Sequence, residues 1–204
     1  MSSPIGHSLA GYLVQVMARG KHQEQLSGST LLKSLKPMHF GGLMVFVIIA
    51  NAPDLDFLPG LLINEPNRFH HGISHSIGAA IMLTGMIVLF QKSAVFKRLN
   101  LSGGSVMMLY GSHLLLDVLC LDARPPQGIP LFWPLSDTYW YFPILPPVKH
   151  ALQDDATIIQ FLADAFSVHN LGVMLMECLM AGILLCAFLI FKRVIIAGMA
   201  VKKL

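Results

Sequence analysis

The sequence predicts an all-α, polytopic membrane protein with about five apolar helices, the first two of them short. Three observations lead there. Of the 204 residues, 54% are hydrophobic and only 12% charged, and the mean hydropathy is +0.64, too apolar for a soluble domain of this length. The apolar residues fall into five runs separated by polar or proline-rich stretches. Finally, no Pro/Ser-rich linker, repeat or low-complexity tract divides the chain, so residues 1–204 read as a single domain.

Residues Ile5 to Ala18 form the first run. Met1 to Gly6 carries no basic n-region and no small-residue cleavage site, so this run is expected to stay in the protein rather than leave as a signal peptide. Arg19 to Pro37 is a polar connection, and Met38 to Ala50 is the second run. At 1.5 Å per residue each covers about 20 Å, short of the roughly 30 Å hydrocarbon core. Ser76 to Phe90 is the third run, and Val106 to Leu121 the fourth. Leu171 to Phe191 is the fifth and cleanest, interrupted only by Glu177. Between the last two, Asp122 to Asn170 is rich in proline and aromatics, a composition suited to the membrane interface. Cys120, Cys178 and Cys186 lie in or beside apolar runs and read as small buried hydrophobes.

If the runs cross alternately, residues 19–37, 91–105 and 192–204 share one side, and they hold 11 of the 14 Lys and Arg. By the positive-inside rule that side is cytoplasmic, so residues 51–75 and 122–170 face the exterior or periplasm. The net charge of +3 is modest, and the basic residues form no aromatic-interleaved stripe, so no nucleic-acid partner is indicated. Membrane lipids are the expected surroundings.

The chemistry-bearing residues crowd into the stretch Asn51 to Ser76, which sets Asp54, Asp56, His70, His71 and His75 between two apolar runs. Imidazole nitrogen and carboxylate oxygen are the donors that Zn²⁺ or Mn²⁺ takes, and an open coordination position lets such an ion activate water. In an extended segment after Pro53 the two aspartates would point the same way. His71 and His75 would share a face if the segment is already helical. His113 and Asp117 are an i, i+4 pair within the fourth run, where a charge at the centre of a membrane helix costs about 3 kcal/mol on insertion scales unless it is paired. With the topology above, these residues, His7 and Glu177 all fall at the outer membrane face, which predicts a metal site there. His22, His39, His150 and His169 have no ligand-like neighbours and are assigned to solvated or structural positions.

Gly6-His7, Pro53-Asp54-Leu55-Asp56, His70-His71-Gly72-Ile73-Ser74-His75-Ser76, Ser112-His113-Leu114-Leu115-Leu116-Asp117 and Gly128-Ile129-Pro130-Leu131-Phe132-Trp133-Pro134 occur in this order. Over about residues 4–147 the chain closely resembles the YdjM-type family of inner-membrane, metal-dependent hydrolases. That family is in turn distantly similar to zinc-dependent phospholipase C and P1 nuclease. The resemblance implies a metal-activated water, one to three ions, most naturally zinc with manganese as the alternative, and a phosphoester substrate, lipid-like by virtue of the site's place at the membrane. It implies metal ligands among His7, Asp54, Asp56, His70, His75, His113 and Asp117, with Asp117 bridging and Glu177 a late helix carboxylate. The catalytic candidates are Asp54, to orient the water, and His71, which stands where the family usually has an arginine.

Two other classes compete with an enzyme. A metal transporter would spread its ligands through the membrane depth, whereas these gather at one face. A non-catalytic membrane protein with a structural ion would close its coordination shell.

Overall fold

Serine side chains set where most of the helices begin. The computed structural model describes residues 2–23, 40–93, 101–121, 125–146 and 157–201, and among them every regular element is helical. Helix α1 spans Pro4–Gln23. The Ser3 hydroxyl accepts from the Gly6 amide at 3.0 Å, and Pro4 stands at the first helical position, where a missing N–H costs nothing. α2 spans Phe40–Ala50; a 3-10 turn, Pro53–Asp56, follows and runs into the short α3, Phe57–Leu62. α4 spans Ile77–Phe90 and α5 Gly103–Leu119, capped by Ser76 and Ser102, whose side chains accept from Ala79 N and Ser105 N. α6, Ile158–Ala165, opens with a capping box of Thr157 and Gln160. α7 is the long Val168–Val201.

All five apolar runs are therefore helical, with shifted ends. The first continues through Arg19 to Gln23, residues expected to start a polar connection; helical hydrogen bonding propagates cheaply once begun. The rest of that connection, residues 24–39, lies outside the described residues, as does His150. α3 and α6 are additional, being too short to show a periodicity.

The lengths of these helices do not give five independent crossings. Only α7 contains a segment long and apolar enough to span unaided among the described residues: Val168–Val194, 27 residues of mean hydropathy 2.5, of which 6% is buried against the chain. α2 and the Pro53–Leu62 section qualify together, bent by 67°, as one broken span or a re-entrant hairpin. α4 has 14 residues and α5 has 17, all apolar in the main, but they rise only about 21 and 26 Å. α4 is nevertheless apolar all round and exposes Ile81, Met82, Met86 and Leu89, which suits a helix facing lipid.

α5 is the central helix, packed by α1, α2 and α4, while α1 also packs on α7. Phe46, Ile49, Ile87, Val106 and Leu109 join α2, α4 and α5 in one core, and Ala80, Tyr110, Leu114 and Ile129 form a second. α1 approaches closely through Gly11, where an added Cβ would meet Ala50 and Leu109 at 3.0 Å. Residues 129–145 strap two helix ends together. Ile77 N and Gly78 N, at the start of α4, donate to Leu131 O and Trp133 O, while Val118 O and Leu119 O, at the end of α5, accept from Phe142 N and Leu145 N. Groups left open at helix termini are satisfied this way. The strap leaves Phe132, Leu135, Trp140, Phe142 and Ile144 exposed.

Candidate metal centre

Four segments meet where the bend after α2 faces the C-terminal half of α5. The chain turns at Pro53 into a 3-10 turn, not the extended segment expected: Ala52 is helical (φ −59°, ψ −36°), held by Asp54 N→Asn51 O and Leu55 N→Ala52 O, both 3.2 Å. Successive residues of a 3-10 turn rotate by about 120°, so Asp54 and Asp56 leave on different sides instead of the same one.

Asp54 points at α5 and the histidine loop. Its Oδ1 lies 3.4 Å from His75 Nε2 and 3.5 Å from His113 Nε2. Asp117 Oδ2 lies 3.5 Å from His75 Nε2 and 3.0 Å from His113 Nε2, and the two Nε2 atoms are 3.4 Å apart. Four donors thus make five contacts of 3.0–3.5 Å. A tetrahedron drawn around an ion with ligands at about 2.0–2.1 Å has edges of about 3.3–3.4 Å.

Asp56 turns to the other side. Its Oδ2 takes His75 Nδ1 at 3.1 Å and the Ser74 hydroxyl at 2.8 Å, and its Oδ1 takes His70 Nδ1 at 2.9 Å. His113 Nδ1 donates to Ala50 O at 2.8 Å, which leaves its Nε2 lone pair facing the cluster. Both histidines are therefore oriented through Nδ1, one by a carboxylate and one by a carbonyl, the arrangement usual behind a metal-bound imidazole. The Tyr110 hydroxyl donates to Ser74 O at 2.5 Å and so holds the loop from α5.

His7 enters from α1. Its ring stacks on His113 with centroids 3.5 Å apart, and its Nε2 is 3.5 Å from Asp117 Oδ1. Asp117 thus presents one oxygen to His7 and the other to His75 and His113. The Asp117 Oδ1 also accepts from Ser2 N at 3.3 Å.

His7, His75 and His113 are fully buried, and Asp117 is 1% exposed. Nevertheless both nitrogens of His7, both oxygens of Asp54 and Asp117 Oδ2 form no hydrogen bond. Buried polar atoms are almost always paired, because leaving one unpaired costs on the order of 1–3 kcal/mol. Here they converge at close range without hydrogen-bond geometry, as donors do around a shared cation. The groups able to hold one ion are His75 with His113 and Asp117, His7 with Asp54 and His113, and His70 with His71 and His75.

Charge follows the same pattern in the histidine loop. Burial would lower the His75 pKa, but the carboxylates of Asp54, Asp56 and Asp117 around it outweigh that and raise it to about 9. In His70 burial wins, aided by the neighbouring His71, and the pKa falls to about 3.

The structure thus gathers His7, Asp54, Asp56, His70, His71, His75, His113 and Asp117, with Asp56 behind the cluster rather than in it. Residues 65–76 form turns, so His71 and His75 do not share a helical face; His71 has φ +62°, and α4 starts only at the Ser76 cap. Glu177 is not in the cluster. Its carboxylate accepts from Ser2 Oγ at 2.5 Å, from Ser3 N at 3.0 Å and from the Ser3 hydroxyl, tying α7 to the start of α1. His169 lies exposed on α7. Sequence reasoning missed Ser74, Tyr110 and the Ala50 carbonyl. Tyr110 could have been found, since it precedes His113 by three residues and shares its helix face.

The family model described as YdjM inner membrane protein matches residues 1–196, so the chain belongs to that family of inner membrane proteins. No curated protein and no solved structure matches it.

Proposed function

We propose that this YdjM-family protein is a metal-dependent hydrolase of the inner membrane, cleaving a phosphoester on a lipid-like substrate at the periplasmic face. The observation that carries the reading is the convergence of four buried donors on one point, Asp54 Oδ1, His75 Nε2, His113 Nε2 and Asp117 Oδ2, with both carboxylate oxygens lacking a hydrogen bond. Two imidazoles and two carboxylates are a zinc-type donor set, with manganese the alternative. His7 and the second oxygen of Asp117 offer a place for a further ion, with Asp117 between the two.

A bound divalent ion supplies Lewis acidity, lowering the pKa of water toward 7 and polarising the scissile bond. The protein's own groups do the rest. Asp54 Oδ2, buried and without a hydrogen bond, is placed to accept a proton from the attacking water and to orient it. Asp56 and the Ala50 carbonyl hold His75 and His113 in the tautomers that keep Nε2 free for the ion. His71, buried with its ring centroid 5.0 Å from that of His75, is the second catalytic candidate.

Purified protein should contain a stoichiometric divalent metal by elemental analysis and hydrolyse members of a lipid and nucleotide phosphoester panel. Its rate should rise with pH through an apparent pKa near 7, vanish on chelation and return with Zn²⁺ or Mn²⁺. The almost complete burial of the cluster suits a structural ion as well; chelation that only lowers thermal stability, with no turnover on the panel, would establish that reading instead. For orientation, a cysteine at Asn64 should react with a membrane-impermeant thiol reagent in intact cells while one at Ser93 should not. Reversed labelling would turn the cluster to the cytoplasm.

A further inference from the structure

A cleft beside the cluster has the polarity of an amphiphile. It lies between α1, α5 and α7, and is also lined by Leu145 at the end of the strap and by Pro146. Its walls are Leu13, Leu116, Met180 and Leu184, and among the described residues that line it the polar side chains are Ser2 and Glu177, at one end. That polar end adjoins the cluster. Ser2 N touches Asp117 Oδ1, Gly6 precedes His7, and Leu116 precedes Asp117. From Glu177 to Leu184 the α7 wall descends about 10 Å away from the cluster. Few residues of the α7 apolar segment are fully buried by the chain, which suits a cleft that opens beside membrane hydrocarbon.

We infer that this cleft holds one hydrocarbon chain of a membrane phospholipid, with the polar head beside the His75–His113–Asp117 cluster. The inference rests on the hydrolase reading for the fate of the head, and deepens it by naming a chain-bearing lipid as the substrate class. An apolar slot with its polar groups at one end excludes water along its length and accepts an alkyl chain in one direction only. Lipid in the bulk bilayer contacts α4 and α7 without such a slot, so retention through detergent separates the two.

The test uses the full chain, reconstituted in phosphatidylglycerol vesicles, extracted into detergent and weighed by native mass spectrometry. The wild type should retain one lipid per chain. Ala181→Trp and Ala10→Trp, which fill the cleft from α7 and α1, should each reduce retention at least tenfold, whereas Met82→Trp on the exposed face of α4 should not. The thermal unfolding midpoint reports folding, and a variant that loses the wild-type midpoint is replaced by the smaller Ala181→Leu. No retained lipid in the wild type, or retention blind to the cleft substitutions, overturns the proposal. If the wild type hydrolyses phosphoesters while retention ignores the cleft, the chain site falls and the hydrolase stands. If lipid is retained in the cleft and no phosphoester is cleaved, the hydrolase falls and the chain site stands.

Discussion

α5 and α7 each carry ionisable residues inside an apolar run, and they put them to different uses. In α5, His113 and Asp117 are buried on the face toward α1 and the Asp54 turn, and both join the cluster. In α7, Glu177 sits at a similar distance inside its run, yet its oxygens are taken by Ser2 and Ser3 at the start of α1. An acid in an apolar helix needs a partner because the unpaired charge is costly, and a cation or a set of hydroxyl and amide donors both meet that need. What separates the two helices is what α1 presents to each: an imidazole to Asp117, and serines to Glu177.

This difference can be broken by substitution, and the effects should fall in a definite order. Asp117→Asn removes charge from the oxygen shared by His75 and His113, so metal affinity should drop by more than the roughly 100-fold typical of orienting partners. Competition with a chromogenic chelator would measure it, and a variant that keeps wild-type affinity would remove Asp117 from the centre. Asp56→Asn should be milder, a loss of about 10–100-fold with full stoichiometry at saturating metal, because it only holds His75 and His70 in orientation. A loss of stoichiometry even at saturation would instead make Asp56 a direct ligand. Glu177→Gln should leave affinity within about twofold, while lowering unfolding stability by about 1–3 kcal/mol through its weakened bonds to Ser2 and Ser3. Metal loss in this variant would join the two helices functionally and undo the contrast.

Much of the centre was legible because its residues are chemically unusual for their surroundings. His113 and Asp117 stand one turn apart in a greasy run, and that spacing survives folding because a helix preserves it. The place of His7 was also readable, from the topology that sets it at the same face and from its position in the ordered set of motifs. Less legible were the roles of the two aspartates. Asp54 and Asp56 have the same composition and neighbourhood, and only the 3-10 turn after Pro53 sends one into the cluster and the other behind it. For residues 65–76 the sequence left a condition open, since His71 and His75 would share a face only if the segment were helical, and local spacing carries no information about whether backbone hydrogen bonds form there; the structure makes turns.

The sequence by itself determined that this is an all-helical chain with long apolar stretches, and that imidazoles and carboxylates are its exceptional groups. Composition and periodicity report the free energy of burying each residue, and those are local properties. Only the tertiary structure decided which of those groups share a point in space, that Asp56 and Glu177 stand outside it, and that among the described residues α7 is the one unbroken helix long enough to span while α4 and α5 fall short. Those outcomes depend on contacts between residues distant in the chain, such as Ser2 with Asp117 and Ala50 with His113, whose geometry is set by helix packing rather than by any one segment's preferences.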